Sequence, residues 1–370
     1  MASAPRATTR PGLAGPHDVV IALDVGGTSI KSGLVAAADH TVRHTERHPT
    51  GADRGSAAVV ETILATAEAL AARAGRAGLV PRAVGIVVPG VVDESGGLAV
   101  WSANVGFRDV PLRELAAARL GLPAALGHDV RAGGLAEARL GAAAGAGHVL
   151  FVAIGTGIAA AHVVAGHAFA GAHGAAGEIG HIVVRPDGPP CGCGARGCLE
   201  AIASASAVAR RYAQRAGAAA TAAEVAERAR TGDPVAGQVW QETVDALADG
   251  LLTGQALFDP EVVVLGGGLA EAGDTLLEPL RAALRQRITF HREPRLVGAA
   301  LGDEAGCLGA ALLACETWAA AGPDPDPIAG LPGRLDPDPA GQPGAGPAAA
   351  AAEDSAGRPG RAVDRHEGAA

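Results

Sequence analysis

The sequence predicts an α/β protein of two similar domains facing one cleft. Three observations lead there. The stretch VVIALDVGGTSIKSGLV (19–35) reads as strand, glycine turn, strand, and HVLFVAIGTGIAAAHVVAG (148–166) repeats that logic in the second half. Between and after these units, short apolar runs alternate with helical patterns, as layered α/β architectures require. At 370 residues the chain is long enough for two domains of ordinary size.

Composition narrows the function. A net charge of -9 and the lack of a basic run argue against nucleic acid as a partner. Aromatics make up 2% of the chain, so the core has to come from Val, Leu, Ile and Ala. Lys31 is the one lysine in the sequence. The excess of Arg, Ala and Gly reads as coding bias, which makes a surviving lysine stand out. No apolar stretch approaches the roughly 18 to 20 residues of a membrane span. Residues 1–16 lack the apolar core of a signal peptide. The cysteine usage fits a reducing compartment, and the cytoplasm is the expected location.

In chain order, residues 1–17 read as a disordered leader. The first hairpin has strands at 19–23 and 30–35 around the turn 24–28. Gly26 and Gly27 strip that turn of side chains, so its amides can approach an anion. Thr28 adds a hydroxyl, and Asp24 suits a hydrated Mg2+. A plain Asp-Gly hairpin turn is the alternative. An Ala-rich helix follows at 55–76, then a strand at 83–88 that ends in Pro89-Gly90. Asn104 falls in a polar loop before a helix that starts near Pro111. Residues 123–141 read as a short strand running into a helix, with His128 and Asp129 at the junction. Asp129 is there either a helix cap or a general base at the mouth of a cleft. Gly133 and Gly134 weaken that helix unless a neighbour packs closely against them. Residues 204–258 are helical, and 261–284 give a strand, a glycine loop and a helix, a seat for a nucleotide. Cys307 and Cys315 lie eight apart on a helix, on one core-facing stripe, with no chemistry assigned. From residue 319 the composition collapses to Ala, Gly, Pro and Asp, and the tail is expected to be disordered.

The densest chemistry lies at 177–200, GEIGHIVVRPDGPPCGCGARGCLE. Cys191, Cys193 and Cys198 fall within eight residues, and His181 sits ten residues before Cys191. A C-x-C step, a glycine-rich loop and an upstream imidazole match a Cys3His structural zinc set. Gly192, Gly194 and Gly197 let the backbone turn tightly enough for the sulfurs to converge. A disulfide or a redox pair is the alternative, but three local thiols cannot all pair. Four protein ligands leave zinc no open position, which makes it structural. A clamped loop also brings the flanking acids Glu178 and Glu200 near one another.

Together IALDVGGTSIK (21–31), VPGVVD (88–93), the Gly-Thr-Gly turn (155–157), GEIGH (177–181), CGCGARGCLE (191–200) and LGGGLAE (265–271) resemble the ROK family, over residues 18–318. Its members are sugar kinases, open reading frames and repressors of the actin-like ATPase (ribonuclease H-like) fold. The resemblance implies an N-terminal α/β domain at 18–125, completed by a helix at 304–318, and a C-terminal domain at 126–303. It implies that Asp129 is the catalytic base and that Gly90, Asn104, His128, Glu178, His181 and Glu200 lie around the sugar. It places Asp24, Gly26, Gly27, Thr28, Lys31, Thr156 and Gly157 at the phosphates and Mg2+, and Gly266 and Gly267 at the adenosine. His181, Cys191, Cys193 and Cys198 would hold the zinc. ATP is the implied donor, because polyphosphate-using members tend to lack the cysteine loop. Only 23 residues precede Asp24, too few for the DNA-binding domain of the family's repressors. The implied activity is phosphorylation of a hexose, first of all glucose at its 6-hydroxyl, by a homodimer or higher homo-oligomer. A kinase of N-acetylglucosamine, N-acetylmannosamine or fructose, or a sugar sensor without catalysis, is the alternative. Two places depart from the family's usual pattern. His128 stands where its kinases usually carry Asn, and residues 159–161, all alanine, replace glycines after the second turn.

Overall fold

β1 (Asp18–Val25) and β2 (Ser29–Ala36) form the first hairpin, in register from Val19 opposite Ala36 to Val25 opposite Ile30. They belong to a computed structural model that describes residues 14–322. β1 is apolar on both faces because both faces are covered. β3 (Val42–Pro49) pairs with β2 and closes that edge with the polar run VRHTERHP, alternately half-buried and exposed. α1 (Ser56–Arg76) buries Val59, Ile63, Ala67, Leu70 and Ala74, one stripe at helical spacing. β4 (Val80–Val88) then runs parallel to β1. A small antiparallel sheet follows, made of β5 (Val91–Asp93), β6 (Leu98–Ser102) and β7 (Phe107–Val110). α2 (Leu112–Leu120) ends on Gly121 in the left-handed conformation, and β8 (Ala124–His128) completes the first sheet.

α3 (Asp129–Arg139) leads into the second half. There β9 (His148–Ile154) and β10 (Ile158–Val164) form the second hairpin, with the short β11 (His167–Ala168) at its edge. A long irregular segment precedes four helices: α4 (Leu199–Ala203), α5 (Ala205–Ala216), α6 (Ala222–Arg230) and α7 (Pro234–Phe258). β12 (Val262–Gly266), α8 (Asp274–Arg287), β13 (Arg295–Gly298) and α9 (Ala305–Ala321) finish the described chain. The sheets run β3-β2-β1-β4-β8 and β11-β10-β9-β12-β13. Each is an antiparallel hairpin with an added edge strand, continued by two parallel strands. One pattern used twice is the architecture of the actin-like ATPase fold.

Three cores hold this together. One packs the first sheet on α1 and α2, and a second packs the other sheet on α4 to α8. The third lies between the sheets and is filled by α3 and α9, with Ala132, Leu135, Leu308 and Leu312 meeting Val20, Val87, Phe151 and Val264. Cys307 and Cys315 both belong to it, as their spacing predicts. Glu137 of α3 is fully buried in this region, where its carboxylate accepts the backbone N–H groups of Ala142, Ala300 and Leu301 at 2.8, 3.1 and 2.8 Å. It ties α3 to the loop that leads to α9.

The expected leader overlaps the described chain only at residues 14–17, where His17 already accepts the Val80 N–H at 2.8 Å. The expected tail lies outside the described residues from 323 on. Its boundary shifts, because α9 continues through Ala319 to Ala321, good helix formers next to Trp318. No described helix is long and apolar enough to cross a membrane.

The two glycines inside α3 differ. A methyl on Gly134 would stand 2.7 Å from the Ala161 methyl and 3.1 Å from the Phe151 Cβ, whereas one on Gly133 meets nothing closer than 3.7 Å. Gly133→Ala should therefore stabilise the fold by about 0.5–1 kcal/mol through helix propensity. Gly134→Ala should destabilise it by about 1–3 kcal/mol through overpacking. Chemical denaturation of the two variants checks the opposite signs.

Candidate active site

The glycine turn of the first hairpin places Asp24 at the end of β1, across from Lys31 on β2. The Lys31 ammonium lies 4.0 Å from the Asp24 carboxylate and donates to Asp303 Oδ1 at 2.8 Å. Gly306, in the first turn of α9, has no side chain because Asp24 occupies that space. Burial pushes the Asp24 carboxyl up to about 6, with the Asp129 charge adding to the shift and Lys31 opposing it. Gly27 packs beneath Asn104, whose Cβ would stand 3.2 Å from a methyl there. The β6–β7 turn thus covers the phosphate-type turn. Gly90 has φ 105, and its neighbours Trp101 and Ser102 leave no room for a side chain.

Asp129 is the first residue of α3, and the cap is its neighbour: His128 Nδ1 accepts the Arg131 N–H at 3.4 Å. The capping alternative for Asp129 therefore passes to His128. With Nδ1 accepting, the other ring nitrogen carries the proton, and it lies 3.4 Å from Asp129 Oδ1. Burial holds His128 down at about 4, assisted by the Arg131 charge, so the ring is neutral. Burial raises the Asp129 carboxyl, while the Val130 N–H at 2.7 Å and the Arg131 guanidinium pull it back. The Asp24 and Asp129 carboxylates sense each other, and a divalent cation would relieve both.

In the irregular segment, the His181, Cys191, Cys193 and Cys198 donor atoms all lie within 4.8 Å of one another. Cys191 Sγ is 3.6 Å from His181 Nδ1, and Cys193 Sγ is 3.7 Å from Cys198 Sγ. Tetrahedral zinc with Zn–S near 2.3 Å and Zn–N near 2.0–2.1 Å needs edges of about 3.6 and 3.8 Å. The donor set fits zinc in number, type and spacing. Burial and the neighbouring thiols push Cys198 up to about 12, so a cation has to displace its proton. No described pair of these cysteines forms a disulfide. The other nitrogen of His181 faces Glu178 Oε2 at 3.8 Å. Burial raises Glu178, with the His181 charge opposing that shift and Glu200 adding to it.

Glu200, one residue into α4, accepts the Ile158 N–H at 2.9 Å and fills the space beside Gly157. The cysteine segment is thereby tied to the second glycine turn. Thr156 at its tip is exposed, and its carbonyl accepts the Ser206 hydroxyl at 2.5 Å. The alanines at 159–161 lie in β10, beyond the turn. Ala160 and Ala161 are buried on opposite faces of the sheet, and the Ala160 amide donates to Gly177 at 2.7 Å. Gly266 and Gly267 press against Phe151 and Ile154 of β9. The helix does not open at these glycines as the sequence predicts. A 3-10 turn, Ala270–Ala272, intervenes and α8 starts at Asp274, so the glycine loop has no α-helix N-terminus directly behind it.

Two groups at the site escape a reading of the sequence. Glu94, in the β5–β6 turn, accepts from the His128 N–H at 3.2 Å and from Arg131 Nε at 2.8 Å. No motif flags either residue, because the partners lie 34 and 37 positions apart. A cavity of about 340 Å³ opens beside Lys31, Arg47 and Cys307, but Asp129, Asn104, Glu178 and Glu200 do not line it.

The chain is similar to known proteins over most of its length. The profile of the ROK family matches residues 20–317. A glucokinase of Streptomyces coelicolor is 33% identical over 330 residues, covering 84% of this chain and 99% of its own. An N-acetylmannosamine kinase of Escherichia coli O157:H7 is 34% identical over 297 residues, covering 80% and 97%. The solved ROK family glucokinase of Streptomyces griseus, in complex with glucose and AMPPNP, superposes with a TM-score of 0.69 at 32% identity, covering 80% of this chain and 99% of that one. A profile match across the two hairpins and the cysteine segment, with relatives aligned over nearly their full lengths, makes this chain a member of the ROK family.

Proposed function

We propose that the protein is an ATP-dependent hexose kinase that transfers the γ-phosphoryl group to the 6-hydroxyl of glucose, with Asp129 as general base. The observation that carries this reading is the placement of Asp129. It is a half-buried carboxylate at the start of α3, whose charge reaches both Asp24 of the first glycine turn and Glu178 of the cysteine segment. Sugar kinase activity is the common property of the glucokinase and N-acetylmannosamine kinase relatives. The glucose and AMPPNP held by the Streptomyces griseus enzyme favour glucose and ATP as the substrates here.

In this reading the two sheets and their helices are two domains, 18–125 with α9 and 126–303, which close on the substrates and exclude water. Glu178, Glu200, Asn104 and the Gly90 loop hold the sugar hydroxyls, and the neutral His128 donates a hydrogen bond. Asp129 takes the proton from the attacking hydroxyl as the new O–P bond forms and the bond to the leaving ADP oxygen breaks. A raised carboxyl pKa suits that task. The turns at 24–28 and 155–157 offer amides and hydroxyls to the phosphates, and Asp24 would hold a hydrated Mg2+ to offset their charge. Zinc held by His181, Cys191, Cys193 and Cys198 would supply a cross-link, and no chemical step. The family resemblance adds a homodimer or higher homo-oligomer to the reading, and the cysteine usage adds a cytoplasmic location.

Asp129→Ala should lower turnover by roughly 10²- to 10⁴-fold with glucose binding retained. Steady-state kinetics beside calorimetry decides it, and near-normal turnover removes Asp129 from the role. Cys193→Ser should lose bound zinc and melt at lower temperature. Metal analysis and thermal melting test this, and a folded, active, zinc-free variant would contradict the zinc assignment. A panel of glucose, N-acetylglucosamine, N-acetylmannosamine and fructose at fixed ATP should give the highest kcat/KM for glucose. A higher value for an N-acetylated sugar reassigns the acceptor, and sugar binding without turnover on the whole panel indicates a sensor.

A further inference from the structure

We propose that Arg131 is a positioning residue: its buried guanidinium ties together three segments around the acceptor sugar and so fixes where Asp129 stands. The proposal rests on the kinase reading above. Arg131 is 2% exposed and lies on α3, two residues after Asp129. Its Nε donates to Glu94 Oε1 at 2.8 Å, and its Nη1 donates to the Gly174 carbonyl at 2.8 Å. Glu94 follows the loop that holds Gly90, and Gly174 lies in the loop that leads to Glu178.

The ring closes on itself. The same Glu94 oxygen accepts the His128 N–H at 3.2 Å, so one carboxylate grips both the entry to α3 and the side chain of its third residue. Gly174, with φ 71, packs directly on the Val92 carbonyl, where a side chain would collide. The guanidinium thereby links the β5–β6 turn and the loop before Glu178 to the α3 N-terminus, and the contact of Gly174 with Val92 of β5 links that loop to the strand before the turn.

Its charge faces the chemistry as well. Arg131 acts on Asp129, His128 and Glu178 alike, favouring the carboxylate form of both acids. Arg139 and Glu316 share a cavity of about 160 Å³ with Arg131, but they pair with each other at 2.5 Å. Glu94 is the carboxylate that pairs with Arg131 among the described residues. A planar fork bonds two acceptors in different directions at once, which a lysine ammonium at this depth does poorly.

The test compares wild type, Arg131→Met, Arg131→Lys and Glu94→Gln. It measures kcat, KM for ATP and KM for the sugar that wild type uses best, sugar affinity by calorimetry, and melting temperature. Arg131→Met should lower kcat and raise the sugar KM, each by roughly 10- to 100-fold, the usual effect of misplacing reacting groups by about 1 Å. The KM for ATP should not move. Arg131→Lys should recover little, and Glu94→Gln should shift the sugar KM in the same direction by less. A folded Arg131→Met enzyme with wild-type sugar KM overturns the proposal, as does one that loses kcat alone in proportion to lost folded protein. Should Arg131→Met fail to fold, Glu94→Gln decides, and an unchanged sugar KM there overturns the clamp. Wild type that binds sugar without turning it over ends the kinase reading, while the calorimetric affinities still test the clamp. Wild type that binds no sugar of the panel overturns both.

Discussion

Gly309 brings α9 against the backbone of α3 at Ala132, an approach that any side chain at Gly309 would block. The close crossing of these two helices sets the geometry of the site. α3 carries Asp129 at its start, and α9 carries Gly306 against the Asp24 carboxylate. Asp129 and the first glycine turn therefore stand in fixed relation through two helices in the core between the sheets. Gly85 of β4 adds a second close approach, at Ala310 of the same α9. Small residues at a packing seam let backbones come close, and a seam of this kind transmits displacement instead of absorbing it.

The cysteine segment sets the other wall. It has little regular structure, so its shape depends on cross-links. His181 faces the thiols with one ring nitrogen and Glu178 with the other. Glu200 leaves the segment to hold the amide of Ile158. Contacts of this kind orient both the imidazole and the acids beside it. The second glycine turn and the cysteine loop thus form one unit, although 34 residues separate Gly157 from Cys191.

The parts legible in the sequence were those encoded locally. Both hairpins announce themselves through apolar runs around glycine turns, and the thiols through spacing of a few residues. The junction of β8 and α3 was legible too, although the cap proved to be His128. β3 was not, because VRHTERHP has no apolar alternation: an edge strand beside a covered sheet needs little burial. The β5 to β7 sheet was missed because its strands are three to five residues long. Arg131 with Glu94, and Glu137 with Ala300 and Leu301, were invisible for another reason. Their partners are set by topology, and no pattern of nearby residues encodes them. The glycine loop at 266–268 was legible as a loop after a strand, but its packing was not: Gly266 and Gly267 press on Phe151 and Ile154 of β9, and a 3-10 turn separates them from α8.

The polar edge at β3 has a consequence for how the protein behaves when crowded. An unpaired strand offers free amides and carbonyls to any passing strand, and a flat apolar edge invites stacking into aggregates. β3 presents Arg43 and Arg47 outward and sets Glu46 between His44 and His48, 3.2 and 3.1 Å from the two imidazoles. A second strand added there would have to strip water from these charged and imidazole groups. The far edge of the second sheet is guarded by brevity, since β11 offers only two residues for pairing. A fold that uses one strand order twice exposes similar edges twice, and here each is made unattractive to its own kind by a different means.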